Sequence, residues 1–501
     1  MAKKKARILF VCSEATPLAK TGGMADVCGA LPAYLGQAGY DVDVVLPYYK
    51  STKRLGVVVE PTVESMEIPI GGRAMAGAVL DAKTGLPWRA RLIDQPDYFS
   101  RDGLYTDPVT GRDYPDNAER YAFFAKAVVE MIRRTKVKYD IVHAHDWQAA
   151  LVVAYLRKLA GADPGVGDPG TLFTMHNLGY QGKFDANQGR YFDLPPEAFT
   201  PAEMEYYGQW SLLKGGIIYA DYVSTVSENY AKEIQTRELG FGFHDILAAR
   251  ADRLVGITHG VDESMWNPAT DQFLAANYSL DKMNGKEACK KDLLNEFGIS
   301  ADWIKKPVLG FVGRLVEQKG LDLVTPIAED VIAHGYILLI LGTGDKKYEA
   351  AMLDLAARFP EAAAVRIGFD EKLAHKIVAG ADMQLVPSIY EPCGLNQMYA
   401  QKYGTIPIVR ATGGLDDTVT GWSKGKRNAD GFKFSEPHPE ALLKALADAA
   451  DLFDDKKRWA KLVENAMQTD HSWEKAARKY ANVYAKIIKL KKEPLAPAAQ
   501  Q

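Results

Sequence analysis

Cysteine is scarce in this chain and never closely spaced. The four, Cys12, Cys28, Cys289 and Cys393, form no C-x-x-C pair. The sequence therefore offers neither a spaced zinc motif nor a disulfide framework, and a reducing cytoplasm fits. Long apolar runs are missing as well. No segment approaches the roughly 20 residues needed to span a bilayer. The stretch Ile8 to Cys12 follows a lysine run but is too short for a signal-peptide core, and it reads as a first strand. Charge of one sign is not in excess: 61 basic residues face 64 acidic ones, so no broad basic field points to nucleic acid. Repeats of solenoid period and long low-complexity tracts are also lacking. What remains is a soluble, cytoplasmic globular protein, expected to have no nucleic-acid or membrane partner.

The chain has 501 residues, more than one hydrophobic core usually serves, and two α/β domains are the expectation. Strand-like runs recur at Ile8 to Cys12, Val42 to Leu46, Ile141 to His143, Thr171 to Met175, Tyr222 to Val226 and Arg253 to Ile257. Helical patterns separate most of them, as in a parallel sheet covered on both faces. The first unit reads strand, glycine loop, helix, strand, with Met24, Val27, Leu31 and Leu35 spaced as a helix face that closes near Gly39. A second series follows the polar stretch Asp271 to Gly298, at Val308 to Val312, Ile337 to Leu341, Ala364 to Ile367, Met383 to Val386 and Ile406 to Val409. The reading is two Rossmann-like, doubly wound domains, 1–260 and 261–472. An amphipathic helix over 473–490 presents Ala477, Tyr480, Val483, Tyr484 and Ile487 on one side and is expected to pack back on the first domain, and the tail 491–501 is expected to fray. Ligands in such sheets lie beyond the carboxyl ends of the strands, and a cleft between the domains is the default site.

Several loops after strands carry residues suited to chemistry. Lys20-Thr21-Gly22-Gly23 offers backbone N–H groups, a positive helix end and a full charge to an anion, with a plain tight turn as the alternative. Arg314 and Lys319 are two cations able to clamp a diphosphate as charge develops on it, against the reading of a solvated basic loop. Thr412-Gly413-Gly414 repeats the glycine-loop arrangement, whereas Gly342-Thr343-Gly344 reads as packing. Glu391, held extended by Pro392, can bind sugar hydroxyls or stabilise an oxocarbenium ion, or else simply face a helix dipole. Asp146 either serves chemistry or caps the helix that follows it. His176 is open to three roles: general base, hydrogen-bond donor to carbohydrate, or satisfied core histidine. His143 and His145 share one face of a strand, so a metal site is a rival, although no third ligand accompanies them by spacing.

Taken together, the runs Cys12-Ser13-Glu14, Lys20 to Val27, His143-Ala144-His145-Asp146-Trp147, His176-Asn177-Leu178, Glu391-Pro392-Cys393-Gly394-Leu395 and Thr412-Gly413-Gly414-Leu415 resemble glycosyltransferase family 5, the bacterial glycogen synthases and plant starch synthases. The resemblance spans Ile8 to about Tyr484. It implies a GT-B fold, a nucleotide sugar held by the second domain and a glucan acceptor on the first. It also implies metal-independent transfer with retention, from ADP-glucose to an α-1,4-glucan, without a cofactor. Arg314 and Lys319 match the family's basic pair on the diphosphate, Glu391 its acid at the donor glucose, and Lys20 its glycine-loop lysine. Asp146 and His176 match residues around the transferred sugar. Tyr105 matches a site tyrosine, Phe369 sits where a ring would stack on the base, and Cys393, Gly394 and Leu395 belong to the donor loop. The chain departs from the family in having His259 where Asn is usual, Met24 for Leu, and Asn396 where Thr often stands near the phosphates. A UDP-glucose enzyme, a phosphorylase or epimerase on a similar scaffold, and a noncatalytic glucan-binding protein are the alternatives.

Overall fold

The computed structural model describes residues 6–160 and 163–492. The chain forms two compact units. Of the described residues, one unit comprises those up to Val226, Ala231–Ile257 and the helix Trp473–Lys492; the other comprises Ser227–Tyr230 and Thr258–Ser472.

The first unit contains β1 (Arg7–Val11), β2 (Asp41–Pro47), β3 (Val58–Ile70), β4 (Arg73–Lys83), β5 (Arg89–Asp94), β6 (Ile141–His145), β7 (Gly170–Met175), the short β8 (Lys183–Asp185), β9 (Glu205–Tyr206) and β10 (Gln209–Ser211), then β11 (Tyr222–Thr225) and β12 (Leu254–Gly256). Nine of these strands form one sheet in the order β12-β11-β7-β6-β1-β2-β5-β4-β3. It is parallel from β12 to β5, and only the β3–β4 hairpin runs antiparallel at its edge. In β1, Ile8, Leu9, Phe10 and Val11 are all fully buried, as a strand covered on both faces requires. The long hairpin is absent from the sequence reading. Pro61 and Pro69 interrupt its first strand and charged residues dilute its apolar pattern, which an edge strand tolerates.

The second unit contains β13 (Val308–Val312), β14 (Ile337–Gly342), β15 (Ala363–Ile367), β16 (Met383–Val386), β17 (Ile406–Arg410) and β18 (Phe432–Phe434), ordered β15-β14-β13-β16-β17-β18 and parallel throughout. Alternate residues of β14 feed opposite cores. Leu338 and Ile340 join the cluster holding Leu442 and Leu446, while Ile337, Leu339 and Leu341 join the one holding Leu293 and Ile377. The period-2 side-chain alternation of a strand thus glues helices to both faces of the sheet.

The final helix runs Trp473–Lys492, two residues beyond the sequence expectation. Lys491, placed in the fraying tail by sequence, instead makes a 2.7 Å ion pair with Asp168. The rest of that tail, 493–501, lies outside the described residues. Trp473, Tyr480, Tyr484 and Ile487 of this helix are buried in the first unit, where it meets the helix Gly23–Gln37 and β7.

Candidate active site

In the first unit the chain builds outward from β1 through β2 to β5, then returns to β6 on the other side of β1. Loops leaving β1 and β6 therefore diverge, and this reversal is where a doubly wound sheet opens a ligand crevice. The second unit repeats the plan: β13, β14 and β15 run one way, and β16 returns to the free side of β13.

At the first reversal stands Glu14, just past β1. Its carboxylate accepts from the Thr21 N–H, from Thr21 Oγ1 at 2.7 Å, from the Gly22 N–H at 3.1 Å and from the Tyr105 hydroxyl at 2.5 Å. Tyr105 also lies 2.7 Å from the Ser13 hydroxyl. The glycine loop thus binds an anion, as its N–H groups suggest, but the anion is the chain's own carboxylate. Lys20 pairs with Asp26 at 2.7 Å, and both remain partly exposed. Desolvation and the Glu14 charge hold the Tyr105 phenol well above its usual range, so it stays a hydrogen-bond donor. Glu14 is a residue the sequence reading did not single out for the site. Its signal was position, directly after the first strand and one loop ahead of the glycines.

Past β6, Asp146 adopts φ 55, a conformation that costs a non-glycine residue energy and so marks a constrained position. Its carboxylate does not cap its own helix, which overturns the capping alternative: the helix has His145 at its N-cap with no side-chain cap bond. Asp146 Oδ1 instead accepts the His176 N–H at 2.7 Å, reaching across to the end of β7. Desolvation pushes the Asp146 carboxyl up to about 7, against the backbone donors of His176 and Asn177, and Glu14 raises it further. Burial takes His176 down to about 3, so its imidazole is neutral near pH 7.

The three histidines separate by role. His143 is enclosed, its Nδ1 2.8 Å from the Tyr484 hydroxyl and its Nε2 2.6 Å from Thr174 Oγ1. The pairing of His143 with His145 as metal ligands is thereby corrected. His145 Nδ1 lies 3.0 Å from His176 Nε2, and among the described residues the group with donor atoms close enough for a metal is Cys28, His145 and His176.

At the second reversal Glu391, beyond β16, is buried to 7% exposure. Its Oε2 accepts from Lys319 Nζ at 2.5 Å and from Ser388 Oγ at 2.9 Å, and its carbonyl accepts the Gly414 N–H at 3.0 Å. One of the donors expected of the Thr412-Gly413-Gly414 loop is therefore spent on Glu391 itself. Arg314 donates to Gln318 Oε1 at 3.0 Å, and Gln318 in turn bonds the Tyr390 carbonyl. Arg410, at the end of β17, donates to the Ser388 and Ile389 carbonyls and fixes the start of the same loop. Sequence alone gave no sign of that brace. Gly394 has φ 72 and is required by that left-handed backbone, whereas a Cβ on Gly414 would lie 2.1 Å from the Cys393 carbonyl oxygen, so Gly414 is required by the close approach of the two loops. Cys393 is buried, with its thiol pushed up to about 12, and the backbone of His259 bonds to it. Asn396 spends its amide on the Val312 carbonyl at 2.7 Å, so this substitution for threonine ties the loop to β13. Leu395 precedes the helix Asn396–Lys402, and Phe369 stands 84% exposed after β15. The Gly342-Thr343-Gly344 turn is filled by Glu349, which Lys346, then the Gly344 N–H and the Thr343 hydroxyl draw down to about 2 by donating to it, in keeping with a packing role.

A surface cavity of about 360 Å³ lined by Pro32, Tyr40, Asp41, Trp88 and Arg89 lies elsewhere, at the amino ends of β2 and β5. That is the wrong end of the sheet for a ligand crevice of this fold.

Two family descriptions match: the starch synthase catalytic domain over residues 7–249 and the glycosyl transferases of group 1 over residues 299–469. The chain is 45% identical to a glycogen synthase of Koribacter versatilis, over 96% of this chain and 98% of that protein. It is 43% identical to a glycogen synthase of Syntrophotalea carbinolica, over 96% and 99%. The chain belongs to the glycogen and starch synthase family of glycosyltransferases. The catalytic domain of starch synthase IV from Arabidopsis thaliana, bound to ADP and acarbose, superposes with a TM-score of 0.89 at 30% identity, covering 97% of this chain and all of that one. A sucrose-phosphate synthase of Thermosynechococcus elongatus shares the fold alone, with a TM-score of 0.59 at 17% identity. The expected fold, two doubly wound α/β units of GT-B type, is the one found.

Proposed function

We infer that this protein is a retaining glucosyltransferase that moves glucose from ADP-glucose to the non-reducing end of an α-1,4-glucan. The observation that carries the reading is the gathering of Lys319, Ser388 and Glu391 at the sheet reversal of the second unit, with Arg314 on the same loop as Lys319. A buried carboxylate against a lysine suits a sugar hydroxyl beside a phosphate, and the cations gain strength as the diphosphate takes up charge on leaving. The same unit would present Phe369 to the base and Asn396, Cys393, Gly394, Leu395, Thr412, Gly413 and Gly414 around the donor, with His259 donating to the sugar. The first unit, with Lys20, Gly22, Gly23, Tyr105, Asp146 and His176, would hold the acceptor end and the transferred glucose. A relative bound to ADP and acarbose supports an adenine nucleotide donor and a saccharide acceptor.

His176, neutral near pH 7, donates or accepts a hydrogen bond at a glucose hydroxyl without adding charge. Retention follows if the acceptor hydroxyl attacks from the face the diphosphate leaves, its proton passing to the departing phosphate. Arg314 and Lys319 supply the positive charge in this scheme, so we propose that transfer needs neither metal nor cofactor. No described helix is long and apolar enough to cross a membrane. We place the reaction in the cytoplasm, where four buried, free cysteines are at home.

The test is glucose incorporation into glycogen from ADP-glucose and from UDP-glucose, each with a chelator present, followed by digestion with an α-1,4-specific hydrolase. Transfer from ADP-glucose into digestible chains is expected. Faster transfer from UDP-glucose would reverse the donor assignment, and no transfer from either would leave a glucan-binding protein.

A further inference from the structure

Helix Gly23–Gln37, β6 and the turn after β7 bring three metal-ligating side chains to one place. Cys28, His145 and His176 have donor atoms all within 4.8 Å of one another, and Cys28 and His145 are fully buried while His176 is partly open. A tetrahedral zinc ion bound by one thiolate and two imidazoles has ligand–ligand edges of about 3.3 to 3.6 Å. The present 3.0 Å between His145 Nδ1 and His176 Nε2 is already close to one such edge. Shifts of little more than about 1 Å, within the reach of a cysteine rotamer, would close the others.

We propose that Cys28, His145 and His176 form a site for a thiophilic divalent cation of the zinc class, and that filling it inhibits glucosyl transfer. The chemistry balances simply. The cation displaces one proton, that of the Cys28 thiol, to solvent. With His145 protonated on Nε2, the shared proton sits on His176 Nε2, leaves through the partly open side of that ring and is regained at His176 Nδ1, so both rings ligate as neutral imidazoles. Burial, then Cys12, and lastly Asp146 and Glu14 all disfavour a bare thiolate at Cys28, so the charge that stabilises it must come from the cation. The fourth position is left for water on the side where His176 is open.

Inhibition follows from the position of His176. Its ring would be turned to the cation, and its backbone N–H holds Asp146. A cation bound there plays no part in the transfer and instead takes His176 away from the sugar, so the site does not conflict with a reaction that proceeds in chelator. It also stands independently of which donor or acceptor the enzyme uses.

Cobalt(II) titration of the full-length protein, after removal of metal, reads the site directly. Sulfur-to-cobalt charge-transfer absorption should appear and saturate at one equivalent. Cys28→Ser should lose that band and bind cobalt at least about a hundredfold more weakly, since losing a ligand costs no less than losing an outer-shell partner. Cys12→Ala should keep the band. In the transfer assay, zinc should inhibit the unaltered enzyme and spare Cys28→Ser, which retains its basal rate. Absence of a charge-transfer band in the unaltered protein, or its survival in Cys28→Ser, would overturn the proposal. If Cys28→Ser misfolds, His145→Gln serves in its place, and cobalt binding of unchanged affinity in that variant counts against the site.

Discussion

Asp146 carries an unusual combination for one residue: a left-handed backbone, a bond to the next strand end and a carboxyl raised to about 7. Because its folded pKa lies above the unfolded value of about 3.9, the folded state holds more protons in between. Its contribution to stability is thus full below about pH 4 and is lost as pH rises toward about 7. Asp146→Asn keeps an acceptor for the His176 N–H but cannot titrate. Denaturant midpoints of the two proteins should therefore converge or cross in favour of the variant as pH is raised from 4 to 7, at about those bounds; a constant gap between them would show that Asp146 does not titrate in this window. At the same scale, Arg314→Ala should lower kcat by about a hundredfold or more while the protein still folds, because the lost charge acts mainly on the departing diphosphate. Near-normal turnover would remove Arg314 from that role. Residue types in the loops were legible from sequence, since a lysine, a carboxylate or a glycine after a strand has few uses. Pairings were not: nothing in sequence shows that Glu14 fills the glycine loop or that Lys319 and Glu391, 72 positions apart, touch.

Elements tell a related story. The strands of both sheets were readable because burial on two faces demands unbroken β-branched and aliphatic runs. The helix Asn117–Thr135 was overlooked although Tyr121, Ala125, Val128 and Ile132 follow helical spacing opposite Lys126, Glu130 and Arg133, and the β3–β4 hairpin escaped because it lies at an edge. Packing between elements can be tested at Gly414, at the start of the helix Gly413–Thr418. A methyl group there would meet the Cys393 backbone at 2.1 to 2.5 Å, and backbone cannot rotate aside as a side chain can. Gly414→Ala should destabilise the second unit by roughly 2 kcal/mol and displace Glu391. Calorimetry should show the lower transition, and donor affinity should fall with it. An unchanged melting temperature would mean that the two loops are looser than their distances imply.

At the scale of the whole molecule, the last helix belongs with the first unit although it follows the second in sequence. Tyr484 is fully buried and its hydroxyl meets His143 Nδ1 at 2.8 Å. Tyr484→Phe leaves a buried ring nitrogen without that bond and should cost about 1 to 3 kcal/mol. A chain ending at Ser472 should fare much worse. It strips Trp473, Tyr480, Tyr484 and Ile487 from the core, at about 1.5 to 3 kcal/mol each, a sum comparable with a typical domain stability of 5 to 15 kcal/mol. Limited proteolysis should then digest the first unit while the second resists; equal resistance of both would show that the helix is dispensable. The sequence by itself determined the class of fold, the rhythm of strand and helix, and the loops that bear charge, because hydrophobic period and turn chemistry are local properties. Tertiary structure alone decided which charges meet, and which histidine is enclosed and which faces its neighbour. Those outcomes depend on strand order, and strand order is set by the summed packing of segments hundreds of residues apart.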